Sequence, residues 1–359
     1  MNAYYLVFFL ALLISLFYVA KTDKRWRWKL FWTFLPLFIF GAIRIDFGND
    51  YSSYEEVFEQ VHSSGVFRFD RGAHVELGYQ LLNWILPSFR TLLVLNAFLL
   101  SLSLAVFSYH NIPQKYLWIA IVLIFLNPEK NIYGTLVAIR SGLCVSSFML
   151  SFVLIQKRKW IPFLIITGLL STIHTSSLLF VPIAYFVGTN KPFSRHEVYY
   201  WIGGSILLLI TSMSQLFDAI SYLISYEVFD RYEVVLEDVS GHRGIVLVIN
   251  CLLYIICFVA YLNQRGNSLS LDENSLLRLG LLFSVSLLLG SLAMRASYFY
   301  DLFFIGSVVK IVSDKKASNL LRYGLLFMAI ISSYYSMFYV WMGSSYWDHE
   351  IYHSLLGSW

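Results

Sequence analysis

The chain of 359 residues is strongly apolar, since 58% of its residues are hydrophobic, 18% are aromatic and only 13% are charged. Soluble domains carry about 25% charged residues, so this composition excludes a soluble globular enzyme. The formal net charge of +4 comes mostly from short basic segments between apolar runs, which report orientation in a membrane and do not indicate binding to nucleic acid.

Apolar runs of membrane-spanning length recur along the whole chain, and they are continuous instead of alternating in polarity. Such runs predict transmembrane α-helices, because a helix satisfies its own backbone hydrogen bonds inside lipid. We therefore predict an all-α, polytopic protein that forms a single membrane-embedded domain over residues 1–359. About twelve spans are expected, at approximately residues 2–20, 29–45, 90–109, 116–133, 134–156, 160–174, 175–189, 197–216, 244–262, 275–294, 297–313 and 319–341.

Basic residues cluster in the segments that join these runs. With twelve spans the clusters all fall on one side, which the positive-inside rule makes cytoplasmic. Both termini are then external, and residues 46–89 and 217–243 form two long external loops. The clusters lie at residues 21–29, 157–159, 191–195 and 310–322.

The first external loop contains two amphipathic segments. Tyr54, Val57, Phe58 and Val61 recur at helical spacing, with three glutamates on the opposite face. This pattern predicts a short helix lying at the outer membrane–water boundary. A second amphipathic helix is predicted over residues 75–86.

Cationic side chains gather at the predicted external ends of the helices. Arg44, Arg140 and Arg295 lie there, and His174 and Arg231 are on the same side. An arginine at a helix end commonly anchors that end at the membrane surface, which is the alternative for each residue taken alone. Anchoring predicts no common side, however. Because a planar guanidinium suits phosphate, the convergence favours an anion held between helices.

Two residues are candidates for a general base, namely Asp50 and Glu76, and each could instead be a solvated loop residue. His174 is either a functional residue or a packing histidine. Asp46 and Asp50 could bind a divalent cation, but the intervening Gly48 argues against one helical face. The sequence contains no Asp-x-Asp pair, no P-loop, no dinucleotide-binding glycine pattern and no Cys/His metal spacing. We therefore expect no cofactor and no metal.

These residues also resemble a known family. The early motif Arg-x-Asp-x-Gly-x-Asp-Tyr-x-x-Tyr at residues 44–54, followed by Glu-x-Gly-Tyr at residues 76–79, is similar to the EpsG-like branch of the Wzy-type polysaccharide polymerases. Single residues in apolar surroundings extend the resemblance over most of the chain, and these are Arg140, His174 with Ser176, and Arg295 with Tyr298.

The resemblance implies a GT-C-like glycosyltransferase of the bacterial inner membrane, active at the periplasmic face in O-antigen, capsule or exopolysaccharide synthesis. The reaction implied is transfer of a growing glycan from undecaprenyl pyrophosphate to a lipid-linked repeat unit. The implied partners are this undecaprenyl-pyrophosphate-linked oligosaccharide and membrane lipids. Docking of a chain-length regulator is left open, and nucleic acid is not expected.

On this hypothesis the site residues fall into two groups. The catalytic group comprises Asp50, Glu76, His174 and Arg140. The substrate-binding group holds the pyrophosphate and lines the sugar path, and it comprises Arg44, Asp46, Tyr51, Tyr54, Tyr79, Arg231, Arg295 and Tyr298.

Three other functions remain as alternatives. A flippase or transporter for the same lipid-linked oligosaccharide would also need a cationic cavity, but one reachable from both sides, whereas the polar residues here cluster on the outer face. A membrane acyltransferase that modifies surface sugars would place its His/Arg site toward an acyl donor. A purely structural or assembly protein would need no such cluster.

Overall fold

The computed structural model describes residues 2–19, 26–48, 50–63, 67, 75–188, 191–212, 243–288, 291–335, 337, 353–354 and 357–358. These residues are almost entirely helical. They form two compact units, one of residues 1–186 with 329–359 and one of residues 187–328. The single-domain organisation stays a prediction.

The first unit contains ten helices among its described residues up to position 187, together with several short helical turns. They are α1 (Asn2–Leu13) continued by a π-helix (Ile14–Val19), α2 (Trp26–Ile43), α3 (Tyr51–Ser63), α4 (Leu77–Ile85), α5 (Phe89–Asn111), a 3-10 turn (Gln114–Tyr116), α6 (Leu117–Leu126), a π-helix (Glu129–Tyr133), α7 (Gly134–Leu136), α8 (Ile139–Gln156), α9 (Trp160–Ile173) and α10 (Ser177–Val187).

A small antiparallel sheet joins the first motif to the end of the chain. Strand β1 (Arg44–Ile45) pairs with β2 (His353–Ser354), which pairs in turn with β3 (Gly357–Ser358). The register places Arg44 opposite Ser354. The last residues of the chain therefore lie beside the segment where α2 ends.

The second unit is built from long helices. These are α11 (Arg195–Ser212), α12 (Arg243–Arg265) with a 3-10 turn (Gly266–Ser268), α13 (Leu271–Ser286) and α14 (Ser291–Ser313), followed by α15 (Asn319–Tyr335), whose last residues belong to the first unit. Ser270 and Glu273 form a capping box that begins α13. The buried Arg278 donates from Nε and Nη2 to the Glu197 carboxylate, which ties α13 to the first turn of α11.

Each of the twelve predicted spans overlaps a described helix, but the lengths differ. By length and composition, two of the described helices could cross a membrane, Phe89–Asn111 and Ile139–Gln156, and shorter apolar helices accompany them. The number of spans stays a prediction. Of the predicted external loops, residues 217–242 lie outside the described part of the chain.

The predicted spans 116–133 and 134–156 are not two straight helices. Helix α6 ends at Leu126, and Asn127 adopts φ −123° and ψ 64°, outside the helical region that a following proline disfavours. Two short helical turns follow, and α8 begins only at Ile139. The discontinuity matters because it places Arg140 in the first turn of α8.

The amphipathic helix α3 was predicted correctly, but its apolar face packs on protein. Tyr51, Tyr54 and Phe58 are buried in one cluster with residues of the helices α4, α5 and α8. This contact accounts for the apolar stripe without a membrane surface. The other members of the cluster are Tyr79, Phe89, Leu92, Leu93, Ile139 and Leu143.

Candidate functional site

The carboxylate of Glu76 is the centre of a polar cluster. Its Oε2 accepts a hydrogen bond from Nη1 of Arg140 at 2.7 Å. Its Oε1 accepts two hydrogen bonds from Thr175, from the backbone N–H at 3.0 Å and from Oγ1 at 3.1 Å. Nδ1 of His174 lies 3.5 Å from the same Oε1. Three segments that are far apart in sequence therefore meet at one carboxylate.

Gly78 allows Glu76 to reach this position. Glu76 directly precedes α4, and an added Cβ at Gly78 would lie 2.1 Å from Oγ1 of Thr172 and 2.8 Å from its carbonyl oxygen. Only glycine permits this approach of α4 to the end of α9. The next residues along the chain, His174 and Thr175, are thereby brought to the Glu76 carboxylate.

Arg140 is positioned by the start of α8 and by two aromatic rings. Its Cζ lies 5.9 Å from the ring centroid of Tyr54 and 6.0 Å from that of Tyr79, within the range of a cation–π contact. The two rings meet edge to face at 5.8 Å. The Arg140 side chain is 24% exposed, and its buried Nε has no hydrogen-bond partner among the described residues. The exposed part of the side chain is the part that a ligand can contact.

A break in the helix before Arg140 is held by polar contacts. Asn96 donates from Nδ2 to the carbonyl of Thr135 at 2.8 Å. A Cβ at Gly142 would lie 1.8 Å from the same carbonyl oxygen, so α8 packs against α7 with no room for a side chain. The short turn that precedes Arg140 is therefore fixed from two sides.

His174 caps α9 and begins a turn that is tied to α8. Its carbonyl accepts hydrogen bonds from the backbone N–H and the hydroxyl of Ser177. That hydroxyl also lies 3.9 Å from Sγ of Cys144, and the thiol donates to the carbonyl of Leu170. The sequence predicted His174 as a site residue but gave no role to Cys144, Thr175 or Ser177, because no local pattern signals contacts between α8 and the 174–177 turn.

The pKa values of the two acidic candidates, Glu76 and Asp50, are shifted in opposite directions. Burial alone would raise the pKa of the Glu76 carboxyl, but His174 and the positive charge of Arg140 outweigh it and hold that pKa well below the usual range. Burial raises the pKa of Asp50, and the charge of Arg140 opposes this only in part. The cluster thus contains a fixed carboxylate anion and, within electrostatic range of Arg140, a second carboxyl that takes up a proton more readily.

Arg44 occupies a different environment from Arg140. It is 1% exposed, and its terminal nitrogens donate to the carbonyls of Gly41 at 2.9 Å and Leu136 at 2.7 Å. Arg90 donates to the carbonyls of Ala42 and Arg44. In this structure Arg44 is used for bonding the backbone at the end of α2 to the turn before α8. A direct role in binding pyrophosphate stays a prediction.

Glycine is required inside the first motif as well. Asp46 and Gly48 both adopt positive φ, 44° and 94° respectively. An added Cβ at Gly48 would lie 2.5 Å from both methyl carbons of Val137. The motif therefore forms a tight turn against the segment that precedes α8, and the predicted binding role of Asp46 stays untested.

The tyrosines predicted to stack on sugars are buried. Tyr51 is 7% exposed, Tyr54 is 8% exposed and Tyr79 is fully buried. Tyr54 and Tyr79 pack beside Arg140, and Tyr51 packs edge to face on Phe89. This arrangement offers little ring surface to a ligand, and sugar stacking stays a prediction.

The other three predicted substrate-binding residues are Arg231, Arg295 and Tyr298. Arg231 and the side chain of Arg295 lie outside the described residues, and Tyr298 is a partly buried residue of α14 in the second unit. Among the residues that are described, no group of three or more His, Cys, Asp or Glu side chains could hold a metal ion.

One of three comparisons with known proteins finds a match, and it agrees with the resemblance seen in the motifs. No curated protein matches the chain. No solved structure matches it either. A family model does match, and this family suggests a membrane protein with a polymerase-like or glycosyltransferase-like function in polysaccharide biosynthesis. The match covers residues 27–354, and the chain therefore belongs to the EpsG family.

Proposed function

We propose that this protein is a polysaccharide polymerase that transfers a growing glycan from undecaprenyl pyrophosphate to a lipid-linked repeat unit. The observation that carries the proposal is the cluster of Arg140, Glu76 and His174, assembled from three distant segments of an apolar helical chain of the EpsG family. Removing charged groups from water costs free energy, and clusters of this kind are most often found at functional sites.

In this proposal Arg140 stabilises the departing pyrophosphate. The bond from Nη1 to Glu76 fixes the orientation of the guanidinium, while Nε has no partner among the described residues. A fixed cation that faces developing negative charge contributes to the rate without reorganising during the reaction. By analogy with oxyanion donors, one such donor is worth about 2.7–4 kcal/mol.

The acceptor in this reaction is a sugar hydroxyl, which must lose its proton as it attacks. A general base must therefore come within about 3 Å of the hydroxyl oxygen. Asp50, Glu76 and His174 are the candidates that the first unit offers near Arg140.

We place the reaction at the periplasmic face of the inner membrane. Basic clusters in the short connecting segments support this placement, because they make the opposite side cytoplasmic when the chain has about twelve spans and external termini. A site at that surface suits two amphiphilic substrates whose pyrophosphates lie at headgroup level.

Incubation of the purified protein with one lipid-linked repeat unit tests the proposal. A polymerase produces a ladder of longer lipid-linked glycans and releases undecaprenyl pyrophosphate. An acyltransferase supplied with an acyl donor would instead modify the single unit, and a flippase would leave it chemically unchanged. Absence of a ladder from folded protein would contradict the proposed function.

A further inference from the structure

We propose that His174 is the general base of this reaction and that Glu76 is a positioning residue which orients both His174 and Arg140. The inference rests on the proposed function and deepens it, because the chemistry of a polymerase requires a base but does not say which of the three candidates serves. Contacts around the Glu76 carboxylate distinguish them.

Glu76 is poorly suited to take the proton itself. Oε2 accepts from Arg140, and Oε1 accepts two hydrogen bonds from Thr175. A carboxylate that is bonded on both oxygens has little capacity left for a substrate hydroxyl, and each of these donors stabilises its charged form. The low pKa of the Glu76 carboxyl agrees with a group that remains anionic throughout the reaction.

His174 has the arrangement of an oriented base. Its Nδ1 is buried and lies 3.5 Å from Oε1 of Glu76. This distance is longer than a hydrogen bond, as is common for catalytic pairs before substrate binds. A carboxylate beside Nδ1 favours the tautomer with the proton on that nitrogen, so the lone pair is on Nε2. No described residue is recorded in a hydrogen bond with Nε2, and the side chain is 16% exposed.

The charges around His174 also suit this role. Glu76 faces it from the start of α4, and α8 contributes Arg140, on the other oxygen of Glu76, and the Cys144 thiol, which contacts Ser177. A neutral imidazole does not repel the anionic donor, whereas a second free carboxylate such as Asp50 would. Once the imidazole is protonated, the Glu76 carboxylate stabilises the imidazolium, as in other carboxylate–histidine pairs.

The proposed step transfers the glycan to the acceptor and one proton to His174. The acceptor hydroxyl oxygen attacks the anomeric carbon of the donor and forms the new glycosidic bond. The bond from that carbon to the pyrophosphate oxygen breaks, and its electron pair leaves with the lipid pyrophosphate, beside Arg140. The hydroxyl proton moves to Nε2 of His174 and afterwards passes to water.

The test compares the rates at which purified variants form the ladder at a saturating concentration of the lipid-linked repeat unit. His174→Gln is expected to lower kcat by roughly 100-fold or more, with binding of the lipid-linked unit and the thermal unfolding midpoint retained. Asp50→Asn, at the rival candidate base, is expected to lower kcat less than His174→Gln does. His110→Gln, at an exposed histidine of α5, is the matched control and is expected to be fully active.

The Glu76→Gln substitution distinguishes a positioning role of Glu76 from a purely structural one. Because Glu76 acts in part through His174, this substitution is expected to lower kcat less in a His174→Gln chain than in the wild type. Equal losses in the two backgrounds would show that Glu76 does not act through His174.

Two results would overturn the inference while leaving the proposed function intact. One is a His174→Gln variant that elongates at the wild-type rate. The other is an Asp50→Asn variant that loses the ladder while His174→Gln keeps it. A wild-type protein that makes no ladder contradicts the proposed function itself, together with the inference that rests on it.

Discussion

The guanidinium of Arg140 and the carboxylate of Glu76 are joined at 2.7 Å although 64 positions separate them in the chain. Arg140 lies in the first turn of α8, after a break, and Glu76 directly precedes α4. Their pairing links the second motif of the sequence to the mid-chain arginine. It also gives the cluster a defined geometry that substitutions can test.

Replacing Gly78 with alanine is expected to separate this pair from Thr175. The new Cβ would lie 2.1 Å from Oγ1 of Thr172, so α4 must move away from α9. Overpacking of this kind costs about 1–3 kcal/mol. Thermal unfolding should show a lower midpoint, and the ladder assay should show reduced elongation.

Gly168→Ala is the matched control for Gly78→Ala. Gly168 lies in α9, and an added Cβ would meet nothing within 4 Å. Alanine is favoured over glycine inside a helix by about 0.5–1 kcal/mol, so we expect an unchanged or higher unfolding midpoint and full activity. Equal behaviour of the two variants would contradict the close approach of α4 to Thr172.

Arg44→Ala is expected to lower stability more than it weakens substrate binding. It removes the donors to the carbonyls of Gly41 and Leu136, and each unsatisfied buried acceptor costs about 1–3 kcal/mol. Arg44→Lys should recover part of this loss. The measurement is the thermal unfolding midpoint, with Lys157→Ala, at an exposed basic residue, as the control. If Arg44→Ala kept the wild-type midpoint and raised KM, Arg44 would be a substrate ligand instead.

Arg44 and Arg140 also illustrate what the sequence could predict. Both lie where an apolar run meets polar sequence, and the sequence predicts a similar anion-binding role for each. The structure separates them, because Arg44 bonds backbone carbonyls from two elements while Arg140 pairs with a carboxylate and stays partly exposed. Local periodicity carries no information about partners 92 or 64 positions away.

The positions of the helices could be predicted from the sequence better than the partners of the side chains. Hydrophobic periodicity predicted α3, since burial of an apolar face depends on local spacing, and continuous apolar runs predicted the general positions of the long helices. The predicted boundary between residues 133 and 134 differs from the observed one, since α6 ends at Leu126 and α8 begins at Ile139. The predicted spans 160–174 and 175–189 meet at His174, but the hydrogen bonds of Thr175 to Glu76 depend on packing of α4 against α9 and could not be predicted.

The Glu76 carboxylate predicts a specific dependence of stability on pH. Since its pKa is lowered in the folded protein, its contribution is complete above the unfolded value of about 4.3 and diminishes as the pH falls below that value. The difference in unfolding midpoint between the wild type and Glu76→Gln should therefore be constant at neutral pH and shrink in acid.

Thermal unfolding in detergent at a series of pH values measures this difference. Glu59→Gln, at an exposed position of α3, serves as the control and should match the wild type throughout. A wild-type advantage over Glu76→Gln that persisted unchanged to about pH 3 would argue against an anionic Glu76 held by Arg140 and His174.

The most direct test of the account is ladder formation by Arg140→Ala, with release of undecaprenyl pyrophosphate counted for each sugar bond formed. We expect the wild type and the exposed control Arg158→Ala to extend the lipid-linked unit. We expect Arg140→Ala to be about 100- to 1,000-fold slower while still folded. Wild-type elongation by Arg140→Ala would contradict the account, because the leaving pyrophosphate would then need no cation from this cluster.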